Sequence, residues 1–155
     1  MKGYIAFCPH FHQPHFQLYN TRENVFKNSY EPWLNMLENA VNNYDDFYIN
    51  IHLSGPFLYW IKNSKKDYIK RLKKIVSTNK IGLIGGFCDE AFVQLSSNVG
   101  DIYFQLKEYG ELLLEIFGID FKQWQGIHIP ERETGELMLT EITKAYRSIY
   151  DKGSA

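Results

Sequence analysis

Cysteine is nearly absent from this chain: Cys8 and Cys88 are the only two in 155 residues. Two thiols cannot build the disulfide framework of a small secreted domain, so both are read as reduced, buried thiols of a cytosolic protein. Excess charge of either sign is lacking too. Seventeen Lys and Arg stand against 18 Asp and Glu, a formal net charge of −1, so neither nucleic acid nor an anionic membrane surface is an expected partner. The apolar run at residues 3–8 is too short for a signal peptide or a membrane span. The expected location is therefore cytoplasmic. Internal repeats, low-complexity tracts and linkers are also missing. No glycine-rich phosphate loop follows the first apolar run, which argues against a nucleotide-binding Rossmann unit.

What is present is alternation. Apolar, β-rich runs at residues 3–8, 47–53, 81–86 and 123–129 predict four buried strands. Between and after them, apolar positions recur at helical spacing: Trp33, Met36, Leu37, Ala40 and Val41; Tyr68, Leu72, Ile75 and Val76; Ile102, Leu106, Tyr109, Leu113 and Ile116; Met138, Ile142, Ala145 and Tyr146. Residues 10–28 read as a loop, with Ser29 capping the first helix and Pro32 in its first turn. Lys66, Lys70, Arg71, Lys73 and Lys74 form a basic face with no aromatic or glycine pattern beside it, and read as a solvated outer surface. Residues 147–150 could begin a fifth strand. Four strand–helix repeats predict an α/β fold of parallel βα units, about half of a (β/α) barrel, with residues 1–150 as one domain segment and 151–155 as a short tail. Unpaired first and last strands would leave edges open to self-association.

Three polar clusters follow predicted strands: His10, His12 and His15; Asp89 and Glu90; Glu131, Arg132 and Glu133. In parallel βα folds that end of the sheet carries the chemistry. His10 and His12 lie at i and i+2, so they point the same way from an extended backbone. They can chelate a metal, line a pocket for sugar hydroxyls, or share no task. His52, ahead of Ser54-Gly55-Pro56, can join them or be a satisfied core histidine. Asp89 and Glu90 flank a pocket mouth, or cap a helix. For Glu131 the chemistry that fits is glycoside cleavage: one carboxylate attacks the anomeric carbon while another, about 5–5.5 Å away in retaining enzymes, protonates the leaving oxygen. Arg132 beside it would hold Glu131 ionised.

These residues resemble glycoside hydrolase family 57. His10-Phe11-His12-Gln13-Pro14 looks like its His-x-His-Gln-Pro motif. Asn50–Pro56 with Leu58-x-Trp60 resembles a second block, Gly85–Glu90 a third, and Gly126–Arg132 a fourth. The resemblance covers residues 5–146. It implies a retaining α-glucan hydrolase or glucanotransferase on an incomplete (β/α)7 TIM-like barrel, with Glu131 as nucleophile and His10, His12 and Glu90 around the reacting sugar. Asp89 competes with Glu90 for the third block, and His52, Trp60 and Arg132 are further substrate-binding candidates. His128 and Glu133-Thr134 depart from the aromatic residues usual in the family, which alters the expected subsites. The family's acid/base Asp is expected beyond residue 155, so this chain alone should be inactive. An α-glucan or oligosaccharide is the implied partner, and no metal or cofactor is needed. Two other readings stand beside this one. A metal-dependent polysaccharide deacetylase or hydrolase would use His10, His12 and Asp89 to activate water. A non-catalytic glucan-binding relative would keep the pocket without turnover.

Overall fold

The computed structural model describes residues 7–92, 95, 99–132 and 135–152, and for Val99, Arg132, Leu137 and Lys152 the backbone alone. Residues 3–6 of the first predicted strand, Ser96, Ser97 and Asn98 of the predicted loop, and Glu133 and Thr134 lie outside it. The chain divides into two compact units, one ending at Leu83 and the other starting at Ile84.

The first unit is built on a three-stranded sheet in the order β1 (His10–Phe11), β2 (Ile49–Leu53), β3 (Ile81–Ile84). β1 runs parallel to β2, with His10 opposite His52 and Phe11 opposite Leu53. Pairing thus continues past Pro9, where the sequence predicts a stop. Proline lacks only the N–H, and its carbonyl accepts from the His52 N–H at 3.0 Å. β2 passes directly into α3 (Gly55–Ser64) through Ser54, which is buried. Its own N–H bonds to the Phe11 carbonyl at 2.9 Å, and its hydroxyl accepts from the Phe57 N–H at 3.4 Å as an N-cap.

The predicted loop 10–28 is shorter than expected, because α1 (Tyr19–Val25) begins inside it. A π-helical turn, Phe26–Tyr30, joins α1 to α2 (Glu31–Asn43) without a break. Ser29 is therefore no cap. Pro32 cannot donate to the turn before it, and the helix widens just ahead of it, with the Glu31 N–H bonding to the Phe26 carbonyl. α4 (Lys66–Val76) buries Tyr68, Leu72, Ile75 and Val76, as the periodicity predicts. Its outer face is not wholly solvated. Arg71 bonds to Glu31 on one side and Glu38 on the other, both at 2.5 Å, and to Asn35, strapping α4 to α2. Phe57 is the hub of the core, with ring neighbours Tyr30, Phe11, Trp60 and Tyr68. Burying one such ring contributes roughly 1.5–3 kcal/mol.

In the second unit the predicted fourth strand is reduced to a single parallel bridge, Gly85 to Ile127. The Gly85 N–H bonds to the Gly126 carbonyl at 2.9 Å and the His128 N–H to the Gly85 carbonyl at 2.7 Å. A 3-10 turn precedes this bridge (Phe121–Gln123) and another follows it (Pro130–Arg132). Gly85 must be glycine, since a Cβ there would fall inside the Trp124 indole. α5 (Val99–Phe117) ends at Gly118, whose φ of +71° and N–H bond to the Leu114 carbonyl close the helix. α6 (Glu136–Lys152) runs through residues 147–150, where the sequence allows a fifth strand, because Ile149 continues its buried stripe. Cys88 is buried as expected, but Cys8 is exposed. No helix among the described residues is long and apolar enough to cross a membrane.

Candidate functional site

Each unit carries its own set of polar residues. In the first, the β1–β2 register sets His10 beside His52, and their Nδ1 atoms are 2.8 Å apart with the rings nearly parallel. At that distance one nitrogen donates and the other accepts, so the two Nδ1 atoms hold one proton between them. His12 stacks on His10, ring centroids 5.7 Å apart. Exposure falls from His10 to half-buried His12 to His52, which is only 1% exposed. His52 is thus a core residue and a partner of the motif histidine at once. His15 stands apart: its carbonyl accepts from Arg22, and its ring lies 6.4 Å from Tyr59. Trp60 is buried edge-on against Phe26 and Phe57, with the Arg22 guanidinium 5.5 Å above its ring and the Lys65 ammonium at 5.6 Å.

Tyr30 holds this motif in place, and the sequence has no signal for it. Its hydroxyl donates to the His12 carbonyl at 2.5 Å and accepts from the buried Gln13 amide at 3.1 Å. Burial pushes the Tyr30 hydroxyl above the usual tyrosine range, though the Gln13 bond opposes it, so it stays a donor at neutral pH. The residue sits in the π-helical turn, eighteen positions from His12, where no local pattern links the two.

In the second unit the adjacent acids part company. The Asp89 carboxylate is exposed and accepts from the Gln105 side chain at 2.9 Å, while its N–H bonds back to the same side chain at 2.8 Å. Glu90 has φ +57° and a carboxylate only 11% exposed, 3.4 Å from His128 Nε2. The left-handed backbone turns Glu90 inward and leaves Asp89 outside. His128, noted in the sequence only as a departure, is thus the neighbour of one candidate acid. Glu131 also has a left-handed backbone, φ +54° and ψ +5°, and is exposed in the turn Pro130–Arg132. For a non-glycine residue such a conformation costs about 1–2 kcal/mol. Strain of this kind gathers at functional sites. Among the described residues Asn79 is the one other non-glycine case, in a surface turn. The Arg132 side chain lies outside the description.

For metal binding, His10 with His52 offers two nitrogens, and Glu90 with His128 offers one oxygen and one nitrogen. Each pair alone falls short of the three or four protein ligands that zinc takes.

Residues 6–145 match the sequence profile described as Glycosyl hydrolase family 57. The chain belongs to this family. Among curated relatives, a 4-alpha-glucanotransferase of Thermococcus litoralis is 27% identical over 130 residues, and an alpha-amylase of Pyrococcus abyssi 29% over 131; in each case 83% of this chain and 18% of the relative are covered. This family-57 chain thus spans about a fifth of the length of those relatives. Among solved structures it is similar to the Thermococcus litoralis 4-alpha-glucanotransferase, with TM-score 0.79 and 22% identity over 91% of this chain and 21% of that one. A family-57 branching enzyme of Thermococcus kodakaraensis matches with TM-score 0.70 and 16% identity, over 84% and 33%. The fold is accordingly α/β, parallel βα units forming part of a TIM-like barrel, as the strand–helix alternation predicts.

Proposed function

We propose that this chain carries the nucleophile and part of the sugar pocket of an enzyme that hydrolyses or transfers α-glucans with retention. Glu131 attacks the anomeric carbon and the glycosidic C–O bond breaks. The leaving oxygen takes a proton from an acid, proposed to be an aspartate outside residues 1–155. Water or a sugar hydroxyl then opens the glycosyl ester, giving its proton to the same aspartate and freeing Glu131. His10 and His12 supply hydrogen-bonding groups for sugar hydroxyls, and buried His52 holds His10 through its Nδ1. Glu90 is the pocket acid of its turn, while Asp89 ties that turn to α5. This sequence of steps needs no metal or cofactor. Residues 1–150 then form the N-terminal segment of a longer catalytic domain.

The observation that carries this reading is the backbone of Glu131. A carboxylate held exposed in a left-handed turn, four residues past a parallel bridge partner, costs stability. A nucleophile presented to a substrate accounts for it. The test is Glu131→Gln in the full-length protein. Glucan turnover should fall by at least about 10³-fold, the scale of losing a covalent nucleophile, while oligosaccharide binding persists. Unaltered turnover would remove Glu131 from the role.

A further inference from the structure

His10 and His52 are joined more specifically than two neighbouring rings need to be. An imidazole nitrogen lies little more than a bond length from its ring centre. Centroids 4.9 Å apart therefore bring the two Nδ1 atoms to 2.8 Å only when both nitrogens lie close to the line between the ring centres. That line then runs nearly within both ring planes, where the nitrogen lone pair and the N–H lie, and the planes are tilted by just 18°. The contact is an edge-to-edge hydrogen bond, not an overlap of ring faces. The backbone fixes it from both sides. The parallel register sets His10 opposite His52, the His52 N–H bonds to the Pro9 carbonyl at 3.0 Å, and the Ser54 N–H bonds to the Phe11 carbonyl at 2.9 Å. The His52 ring is buried, so close packing holds its orientation as well.

Resting on the proposed contact of His10 with sugar hydroxyls, we infer that His52 is a positioning residue that sets the ring plane and the proton placement of His10. In a neutral imidazole one nitrogen donates and the other accepts. When His52 Nδ1 carries the shared proton, His10 carries its own at Nε2. When His10 Nδ1 carries it, His10 Nε2 is an acceptor. The two rings are thus tied as opposite tautomers. Interchange requires one proton to leave the Nε2 of one ring and another to reach the Nε2 of the other, and the His52 ring is only 1% exposed. The tautomer of His10 is therefore not exchanged as it is in a solvated imidazole. His10 Nδ1 is engaged by His52, so His10 meets a hydroxyl through Nε2 and in a single role. A hydrogen bond at one imidazole nitrogen deciding what the other can do is the general way a functional histidine is oriented.

Nitrogen NMR shifts of isotopically labelled histidines in the full-length protein read the tautomers directly. At a pH where both rings are neutral, His10 and His52 should give the well-separated shifts of fixed, opposite tautomers. His52→Leu should collapse the His10 shifts toward the averaged values of a solvated imidazole. It should also raise KM for maltooligosaccharides roughly tenfold, the scale on which losing an orienting partner acts on a functional imidazole. kcat should change less, because a contact made equally in ground and transition states appears in KM. His52→Asn, whose amide reaches the place of Nδ1, should restore most of KM and the fixed His10 tautomer. Averaged His10 shifts in the parent, or unchanged His10 shifts in His52→Leu, overturn the proposal while leaving the glucan reading intact. Equal losses in both variants with a lowered melting temperature overturn it in favour of plain core packing. A parent protein that neither binds nor turns over any glucan overturns both readings.

Discussion

The two units place their polar groups by opposite means. In the first, the motif histidines are set by ordinary structure: a parallel register puts His10 beside His52, and a tyrosine from a neighbouring helix holds the backbone between His12 and Gln13. In the second, Glu90 and Glu131 are aimed by left-handed backbone that neither residue favours. Hydrogen bonds position the first set at little cost. Strain positions the second, and the surrounding structure must sustain it. A donor-lined pocket tolerates small displacements because many hydroxyl contacts share the load, whereas a nucleophile must meet one carbon along one line. The contrast fits the tasks proposed above for the two sets.

The largest test of this contrast lies beneath the strained turns. Gly85→Ala would drive a methyl into Trp124 and disturb the bridge to Ile127, costing about 3 kcal/mol by overpacking. Denaturant unfolding of the chain measures it, and a loss under about 1 kcal/mol would mean that the indole shifts freely. Next comes Tyr30→Phe, which deletes the bonds to the His12 carbonyl and the Gln13 amide within a buried site. It should cost about 1–2 kcal/mol and raise KM for glucan more than it lowers kcat. An unchanged KM would detach Tyr30 from the pocket.

A smaller effect has the opposite sign. Glu131→Gly relieves the left-handed backbone and should raise stability by about 0.5–1 kcal/mol, after the entropy that glycine adds to the unfolded chain, while abolishing turnover. A stability loss would show that Glu131 stores no strain. The smallest effect concerns pH in the first unit. The Arg71 guanidinium bonds to Glu38 and holds its carboxyl below the usual carboxylate range. A depressed folded value stabilises above the unfolded carboxylate pKa, and that contribution is lost as pH falls through the folded value. Arg71→Ala should therefore flatten the acid limb of the stability curve by about 0.2–0.5 kcal/mol, and less in high salt. Parallel acid limbs in parent and variant would contradict this.

The helical stripes of α4, α5 and α6 were legible because their apolar periodicity survives into burial, and β2 because it is β-rich and ends at Ser54-Gly55-Pro56. Glu131 was singled out through its motif, and its role stays a proposal; its left-handed backbone had no sequence signal. The difference in burial between Asp89 and Glu90 was not legible, since it turns on a φ angle that no glycine announces. The His10–His52 pair depends on strand register across 42 positions, and Tyr30 on a helix whose continuity Ser29 and Pro32 disguised. The fourth strand was over-read. Its Trp124 packs against Phe121, Tyr109 and Tyr146, and Ile127 makes the single bridge in place of a long ladder.

The π-helical turn at Phe26–Tyr30 has a consequence for how this segment tolerates insertion and deletion. It holds one residue more than an α-helical turn over the same rise. A deletion within the turn is taken up by closing it to a regular helix, whereas a deletion in α1 or α2 would rotate everything on one side by about 100° against the other. Tyr30 would then swing away from His12, or α1 would carry Arg22 off Trp60. The lengths of α1 and α2 are thus fixed to the residue, with the turn between them the one place that absorbs a change.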